Sequence, residues 1–250
     1  MIELKGIDVI FNKGTKLENH VLKSIDLKVE TGEFITVIGG NGAGKSTLMN
    51  VLSGNVAPAS GQIFIDNLDV TRMPTEKRSS MVSRVFQDPM IGTFSDLTIE
   101  ENMSIAIKRG KCRGLAMSSN EPLREQFKAA LADVGIGLEE RLSDKVASLS
   151  GGQRQALSLI MATMIGSKIL LLDEHTAALD PKIAKKIMQL TDKIVKRDNL
   201  TALMITHSMS QALEYGNRTI MMYHGSIARD MHGADRSELS AADLVKYFDL

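Results

Sequence analysis

The segment GGNGAGKST at residues 39–47 constrains the fold of this chain more than any other part of its sequence. It matches the pattern G-x-x-x-x-G-K-[ST] and stands between a short apolar run, EFITVIG, and a helical sequence, KSTLMNVLSG. Glycines let several backbone N–H groups converge on one phosphate, and the positive end of the following helix adds to the attraction. A chance Gly-rich turn would not need these flanks, so the sequence predicts a strand–loop–helix phosphate site.

The rest of the chain predicts an α/β fold. GIDVIF and HVLKSIDLKVETGE alternate apolar and polar residues as half-buried strands do, whereas KILLLDE and LTALMIT are apolar runs typical of parallel strands. The amphipathic segment PKIAKKIMQLTDKIV separates these two runs, and such βα alternation indicates a mostly parallel sheet with covering helices. The middle third is mostly helical in pattern and predicts an inserted subdomain.

Composition excludes several classes of protein. Lys plus Arg and Asp plus Glu each number 30, so no global basic surface indicates nucleic acid or an anionic bilayer as partner. The single cysteine, Cys112, forms no internal disulfide and favours a reducing compartment. No apolar run approaches the roughly 20 residues that cross a bilayer, and the N-terminus does not resemble a signal peptide. We therefore expect a cytosolic chain, unless a partner holds it at a membrane.

A second motif, LSGGQ at residues 149–153, has a structural interpretation when it is taken alone. Ser150 and Gln153 have the spacing of a capping box at a helix start, and the glycines ease the turn. LSGGQ follows the GGNGAGKST segment in the same chain, and the two motifs together favour a functional role for LSGGQ beyond capping a helix.

The motifs together resemble those of the ATP-binding cassette, or ABC, ATPases, in the order of that family. They are GGNGAGKST at 39–47, VFQD with Gln87, LSGGQ at 149–153, KILLLDE at 168–174, AALD at 177–180 and ITH ending at His207. The resemblance covers nearly the whole chain. It implies a P-loop NTPase fold, with an ABC-type core of mostly parallel sheet, an N-terminal antiparallel β part and an inserted helical subdomain. It further implies a single domain, 1–250, with a core lobe of 1–88 and 166–250 and a helical signature subdomain of 89–165.

The resemblance implies ATP and Mg²⁺ as cofactors and carries roles over to individual residues. The implied ATP contacts are Phe11, Gly39, Gly40, Asn41, Gly42, Ala43, Gly44, Lys45, Ser46, Thr47 and Gln87. The implied Mg²⁺ ligands are Ser46, Gln87 and Asp173, and the implied catalytic residues are Lys45, Gln87, Glu174 and His207. Asp173 ends an apolar run, Glu174 would polarise the attacking water, and His207 would touch the γ-phosphate. Phosphoryl transfer depends mainly on positioning and charge stabilisation, so these groups suffice.

In this family two cassettes pair head to tail, and the signature of one faces the ATP of the other. The residues implied to contact ATP in trans are Ser150, Gly151, Gly152 and Gln153, and Asp180 is implied at the dimer interface. Asp180 also precedes Pro181, which makes it a good helix N-cap, and both roles are compatible.

Some residues keep a structural alternative. Phe11 stands where the family commonly stacks an aromatic ring on adenine, but its alternation with Ile7 and Val9 also suits plain core. Taken alone, His207 is more typical of a histidine at a strand end than of a catalyst. The basic cluster KRGKCR at 108–113 fits a solvated loop, with a phosphate or partner contact as the alternative.

The chain departs from the common family pattern at His175, where most cassettes have Pro, and at Gly40, where Pro is frequent. Three roles are open to His175: a metal ligand beside Asp173 and Glu174, a hydrogen-bonding residue behind them, or a turn residue in place of Pro. Neighbouring residues on a strand point to opposite faces, which disfavours the metal ligand. A perturbed pKa of Glu174 is a further possible effect of His175.

The segments DEHTAALDP, VFQDP and LSGGQRQALSLIMA resemble one subgroup, the ATPase subunits of bacterial uptake systems with a separate permease and solute-binding protein. Some of these systems are thought to carry aromatic amino acids such as tryptophan or tyrosine. The implied function is an ATP-hydrolysing subunit that dimerises with itself or a sister cassette and drives the permease from the inner face of the membrane. In the family, a groove beside Gln87, here residues 86–105, receives a permease helix.

Two other functions remain as alternatives. A soluble ABC ATPase would act on nucleic acid or the ribosome, but the gap between the two motifs is only about a hundred residues and lacks sustained heptads. The ribosomal members carry two cassettes, whereas this chain carries one. A module that binds ATP without turnover is disfavoured by the presence of Glu174 and His207.

Overall fold

A computed structural model describes residues 1–111 and 120–247. Of the basic cluster KRGKCR, Cys112 and Arg113 lie outside the described residues. The chain forms two compact units. The first comprises Met1–Arg78 together with the described residues from Asn199 onward, and the second comprises Ser79–Asp198.

The secondary structure follows the predicted order of strands and helices. The strands are β1 (Ile2–Phe11), β2 (Asn19–Val29), β3 (Phe34–Gly39), β4 (Ser60–Ile65), β5 (Leu68–Asp69), β6 (Val82–Val85), β7 (Ile169–Asp173), β8 (Thr201–Ile205), β9 (Arg218–Tyr223) and β10 (Ser226–His232). The helices are α1 (Lys45–Ser53), α2 (Thr75–Arg78), α3 (Ile99–Ala106), α4 (Glu121–Ala132), α5 (Gly151–Thr163), α6 (Pro181–Arg197), α7 (Met209–Glu214), α8 (Gly233–Ser237) and α9 (Ala241–Lys246). Within these described residues, no helix is both long enough and apolar enough to span a bilayer.

The first unit contains an antiparallel sheet in the order β2-β1-β4-β5. Strand β1 pairs antiparallel with both β2 and β4, which confirms the N-terminal antiparallel part. Its alternating residues, among them Ile7 and Val9, are buried, as half-buried strands require. The pairing with β2 shifts register between Val9 and Ile10, close to the end of the strand.

The same unit contains a second group of strands in the order β10-β9-β3-β8. Strand β3 is parallel to β8 and β9, and β9 pairs antiparallel with β10. Every residue of β3 is buried, as expected for a strand that is covered on both faces. One face is covered by a cluster that includes Ile38, Ala212 and Leu244, from β3, α7 and α9. Because β3 is packed in this way up to its carboxyl end, it supports the loop that follows it.

The second unit pairs β6 with β7 in parallel, with Val82 opposite Ile169 and Val85 opposite Leu172. It also contains α3 to α6, so the predicted helical middle of the chain is confirmed. Thr98 and Glu101 form the predicted capping box of α3, and Asn120 caps α4. The predicted helical subdomain, residues 89–165, falls inside this unit, and its boundaries stay a prediction.

A buried arginine supports the far end of helix α1. Arg78 is 1% exposed, and its guanidinium donates to the carbonyl oxygens of Val51 at 2.7 Å and Leu52 at 3.2 Å. The same group also donates to the carbonyls of Val70 and Met73. The Arg78 cation adds charged donors to carbonyls at the end of the helix, where the helix dipole favours positive charge.

We expect Arg78→Met to lower the free energy of unfolding by about 2–4 kcal/mol, because four carbonyls each lose a charged hydrogen-bond donor. Urea denaturation measures this change. The matched control is Arg72→Met, since Arg72 is exposed, and it should alter stability by less than about 0.5 kcal/mol. Equal stability of the two variants would show that the Arg78 hydrogen bonds contribute nothing.

Candidate nucleotide site

Two glycines of the loop after β3 lie so close to neighbouring atoms that a side chain at either position would make contacts that are too short. A Cβ on Gly39, at φ 155°, would lie 2.5 Å from the carbonyl oxygen of Met222. A Cβ on Gly44, at φ 101°, would lie 2.7 Å from Cδ2 of Leu22. The backbone contact at Gly39 and the positive φ at Gly44 both favour glycine, so the path of this loop depends on these two residues.

The start of helix α1 provides a positive pole at this loop. Its N-cap is Gly44, which makes no side-chain cap bond, and no acidic residue occupies its first turn. The helix start therefore has no capping side chain and no acidic residue in its first turn, and its positive end favours an anion. Lys45 is 6% exposed, and its ammonium donates to the carbonyls of Gly39 at 2.8 Å and Gly40 at 3.1 Å. These bonds hold the cation across the loop, while Ser46 beside it is exposed.

His207 follows strand β8 in the same unit. The strand and Thr206 are buried, whereas His207 itself is exposed. The Thr206 hydroxyl donates to Oε1 of Gln211 at 3.0 Å and accepts from the backbone N–H of Ser208 at 3.0 Å. Ser208 in turn caps helix α7. These bonds on both sides hold the backbone that carries His207, so the imidazole extends from a fixed turn.

Phe11 is the last residue of β1 and is 39% exposed. It therefore does not continue the buried row of Ile7 and Val9, since the register shifts before it interrupt the alternation. An exposed aromatic ring at a strand end is available to stack on a planar ligand, and this role of Phe11 stays a prediction.

In the second unit, Asp173 ends strand β7 and pairs with Arg84 of β6. The Arg84 Nη2 atom lies 2.5 Å from Asp173 Oδ2, and the two side chains are 11% and 14% exposed. Glu174 follows at φ 45°, in the left-handed region that a non-glycine residue rarely adopts. Its carbonyl accepts from the N–H of Ala177 at 2.9 Å. Asp173 is thus ion-paired with Arg84, and Glu174 lies on a left-handed turn.

His175 lies in the interior, with 2% exposure. Its Nε2 lies 3.0 Å from the hydroxyl of Thr191 on α6. That hydroxyl donates its single hydrogen to the carbonyl of Ile187 at 2.8 Å, so His175 Nε2 is the donor in the contact. Burial lowers the pKa of His175 to about 4, and the ring is therefore neutral near pH 7.

This geometry decides among the roles left open for His175. Because its Nε2–H is engaged with Thr191, the ring acts as a hydrogen-bonding residue that ties the strained turn at Glu174 to α6. Among the described residues, no group of three or more His, Cys, Asp or Glu side chains could hold a metal ion. The metal-ligand role is therefore not supported.

The signature segment starts helix α5. Ser150 is its N-cap, and Ser150 and Gln153 form both bonds of a capping box, at 3.3 and 3.1 Å. The structural interpretation of LSGGQ is thus confirmed, and it leaves the Ser150 side chain exposed at the helix start. Further along α5, the amide of Gln155 donates to the carbonyl of Phe86 at 3.1 Å. This bond connects the signature helix to the segment that carries the exposed Gln87.

The two signature glycines differ in their surroundings. A Cβ on Gly152 would lie 2.4 Å from Cγ2 of Ile183, so this glycine is required for close packing of α5 on α6. A Cβ on Gly151 would meet only Cδ2 of Leu179, at 3.8 Å, which is ordinary contact distance. Gly151 therefore has no packing requirement within the chain. Asp180 caps α6 by accepting from the N–H of Ile183 at 3.1 Å, as its position before Pro181 predicts.

Two residues of the site were missed at the sequence level. Arg84 is a charged residue inside the short strand VSRV, and Thr191 is a polar residue on the apolar face of α6. A polar group in an otherwise buried pattern is the available signal, because burial of such a group requires a partner.

The donor set implied for a metal fits Mg²⁺ chemically. Asp173 offers a carboxylate, Ser46 a hydroxyl and Gln87 an amide carbonyl, and Mg²⁺ prefers such hard oxygen ligands. A few protein oxygens suffice for this ion, because it usually retains waters and is completed by phosphates of the substrate.

The fold and this set of motifs define an ATP-binding cassette. Residues 22–177 match the ABC transporter family, and the chain belongs to that family. It is similar to a tyrosine transport ATP-binding protein of Clostridioides difficile, with 40% identity over 249 residues that cover 100% of this chain and 99% of the relative. It is also similar to the thiamine import ATP-binding protein ThiQ of Yersinia pseudotuberculosis, with 36% identity over 218 residues and 87% of each chain covered.

Solved structures agree with this assignment. A dimeric ATP-binding cassette, MJ0796, in a post-hydrolysis state with bound ADP and Pi, superposes with a TM-score of 0.80 at 31% identity, covering 93% of this chain and 98% of its own. The P-loop NTPase α/β fold is confirmed, and the chain is an ABC-type ATP hydrolase.

We expect His175 to make stability depend on pH. Its pKa is about 4 when folded and 6.5 when unfolded, so its stabilising contribution is complete above pH 6.5 and is lost as pH falls toward 4. His175→Gln keeps a donor for Thr191 but does not ionise. Between pH 6.5 and 4, its free energy of unfolding should fall by on the order of 2–3 kcal/mol less than that of wild type.

Urea denaturation at a series of pH values measures this difference. The matched control is His232→Gln, since His232 is exposed, and its pH profile should follow that of wild type. A His175→Gln profile that parallels wild type would contradict a neutral, buried imidazole.

Proposed function

We propose that this chain is the ATP-hydrolysing subunit of a bacterial ABC importer. The observation that carries the proposal is the end-to-end similarity to a tyrosine transport ATP-binding protein, supported by similarity to a thiamine import subunit. The subunit would pair head to tail, with itself or a sister cassette, around two molecules of Mg-ATP. The dimeric state of the MJ0796 cassette supports this pairing.

Binding of the nucleotide would begin at the loop after β3. The backbone N–H groups of residues 40–44 and the positive end of α1 would surround the phosphates, and Lys45 would exchange its bonds to Gly39 and Gly40 for phosphate oxygens. Asn41, Ala43 and Thr47 would add contacts from the same loop, and Phe11 would stack on adenine. Ser46, Gln87 and Asp173 would hold Mg²⁺, which when bound neutralises charge on the phosphate oxygens.

Hydrolysis would depend on Glu174 and His207. Glu174 would accept a hydrogen bond from the attacking water, and His207 would orient that water and the γ-phosphate. The left-handed turn at Glu174, held by the His175–Thr191 hydrogen bond, supports this role because it sets the direction of the carboxylate. A strained backbone costs about 1–3 kcal/mol and persists where surrounding contacts enforce it.

The signature segment would complete the site of a partner cassette. The start of α5 carries exposed Ser150 and Gly151, and a helix start attracts phosphate. Ser150 accepts a cap bond from Gln153 but keeps its hydroxyl hydrogen, which could be donated to a γ-phosphate in trans. Gly151, Gly152 and Gln153 would share this surface, and Asp180 would lie near it at the interface.

A groove in the second unit is the proposed receptor for a permease helix. It encloses about 320 Å³ and is lined by residues that include Phe86, Pro89 and Phe94. Phe94 of this lining is 57% exposed, and Met90 and Ile91, which directly follow Pro89 in the chain, are 56% and 67% exposed. Exposed apolar side chains so close together are typical of a protein interaction site.

The transported solute is proposed from the tyrosine relative alone, because the cassette itself would not touch the solute. An aromatic amino acid, delivered by a solute-binding protein to the permease, is the preferred class. The subunit would be peripheral on the inner face of the cell membrane. An action on nucleic acid is not favoured, since the net charge is zero.

Glu174→Gln tests the assignment. Hydrolysis should fall by about 10²–10⁴-fold, because the base for the water is lost while ATP binding is kept. An ATP-dependent dimer should accumulate, which size-exclusion chromatography detects. The control, Glu121→Gln, changes an exposed residue of α4 and should retain turnover. Turnover near the wild-type rate in Glu174→Gln would contradict the mechanism.

The import assignment is tested in cells whose only copy of this subunit carries Glu174→Gln. Uptake of labelled tyrosine should fall to background, whereas cells with Glu121→Gln should accumulate it. Unchanged uptake in the Glu174→Gln cells would show that this subunit does not energise tyrosine import.

The signature glycines provide a matched pair of variants. Gly152→Ala should lower the free energy of unfolding by about 1–2 kcal/mol, because its Cβ would meet Ile183. Gly151→Ala should keep or slightly raise stability, since Ala favours helix. If Gly151 faces the nucleotide of a partner, Gly151→Ala should still reduce ATP-dependent dimer formation and hydrolysis. A fully active, dimerising Gly151→Ala protein would remove Gly151 from the proposed interface.

A further inference from the structure

We propose that Arg84 is the counter-ion of Asp173 in the metal-free cassette and competes with Mg²⁺ for this carboxylate. The inference rests on the proposed role of Asp173 as a metal ligand and extends it to a residue that lies outside the motifs. Arg84 is therefore a positioning residue of the site, acting through Asp173.

The strand register brings the two side chains together. In the parallel pair β6–β7, Arg84 lies opposite Leu171. Asp173 is two residues beyond Leu171 and so projects from the same face of the sheet as Arg84. The long arginine side chain covers this offset of two residues. The contact thus follows from the pairing of two strands and does not depend on a loop.

The contact is short and shielded from water. Arg84 Nη2 is 2.5 Å from Asp173 Oδ2, with side-chain exposures of 11% and 14%. A charge-assisted hydrogen bond in such surroundings is stronger than an exposed ion pair and is little screened by salt. In the absence of another cation, the guanidinium compensates the charge of a carboxylate that would otherwise be costly to hold at this depth.

A second contact keeps the guanidinium close to Asp173. Its Cζ lies 4.8 Å from the centre of the Phe86 ring, a cation–π contact. Phe86 is two residues after Arg84 and therefore shares its face of the chain. When Asp173 takes Mg²⁺, the guanidinium keeps this aromatic partner and stays within reach. Release of the metal lets the ion pair form again.

The ion pair lowers the affinity of Asp173 for Mg²⁺. Arg84 occupies Oδ2 of this carboxylate, so the metal binds there only when the pair separates, and the free energy of that separation reduces the net binding free energy of the metal. The same arginine lowers the repulsion between Asp173 and nucleotide phosphates when no metal is present. Arg84 should therefore make nucleotide binding less dependent on Mg²⁺ than it would be with a neutral residue.

The test measures this dependence with ADP, which the enzyme does not hydrolyse. Calorimetry gives the Kd of ADP in EDTA and at a series of Mg²⁺ concentrations for wild type, Arg84→Met and Arg84→Lys. We expect the gain in ADP affinity from Mg²⁺ to be about 10-fold larger in Arg84→Met, with weaker binding in EDTA, and an intermediate gain in Arg84→Lys. Thermal melting in EDTA should show a lower Tm for Arg84→Met that Mg²⁺ and ADP restore.

The matched control is Arg109→Met. Arg84 and Arg109 both line the groove of the second unit. The guanidinium of Arg109, however, donates to the Ser83 hydroxyl at 2.5 Å and the Ser167 hydroxyl at 2.8 Å. Its removal should leave the gain from Mg²⁺ as in wild type, even if it lowers Tm. An equal gain in Arg84→Met and Arg109→Met would overturn the competition.

Asp173→Asn separates failure of this inference from failure of the proposed function. If Asp173→Asn loses the gain from Mg²⁺ while Arg84→Met behaves as wild type, Asp173 is the metal ligand but Arg84 does not compete for it. If Asp173→Asn keeps the full gain, Asp173 does not hold the metal, and both proposals are overturned.

Discussion

The structure depends first on the exclusion of side chains from the loop that follows β3. A Cβ at Gly39 or Gly44 would overlap neighbouring atoms of Met222 or Leu22, so only glycine permits this path. The path ends at the uncapped start of α1 and leaves backbone donors for an anion. A fully buried strand supports the loop from one side, and Arg78 secures the other end of α1 through carbonyl bonds. The proposed phosphate site therefore combines a steric requirement for glycine with anchored structure on both sides of the loop.

The second unit holds two charged groups, Asp173 and Glu174, at the end of the buried strand β7. Asp173 is compensated by Arg84, and Glu174 is presented on a left-handed turn. The turn is anchored by His175, a neutral imidazole that donates to Thr191 in the interior. Asp173 and His175 each have a specific partner, because burial of a polar group without a hydrogen bond costs free energy. The Arg84 contact also orients the Asp173 carboxylate, which connects the stability of the unit to its proposed chemistry.

Sequence patterns predicted much of this arrangement, and their failures have physical causes. The phosphate loop, the capping boxes at Ser150 and Thr98, and the cap at Asp180 were predictable because they depend on residues close in sequence. The Arg84–Asp173 pair joins residues of different strands, and the partner of His175 lies on another helix. No local pattern identifies such a partner. The exposure of Phe11 was likewise left open, because bulges interrupt an alternation that looks regular in sequence.

By itself, the sequence determined the family, the α/β class and the residue types proposed to bind phosphate, because these depend on short segments with strict local geometry. Only the tertiary structure decided the role of His175, the difference between Gly151 and Gly152, and the ion pair of Asp173. Each of these depends on which atoms of distant segments come within a few ångströms. Such distances follow from strand register and helix packing, which are properties of the folded chain as a whole.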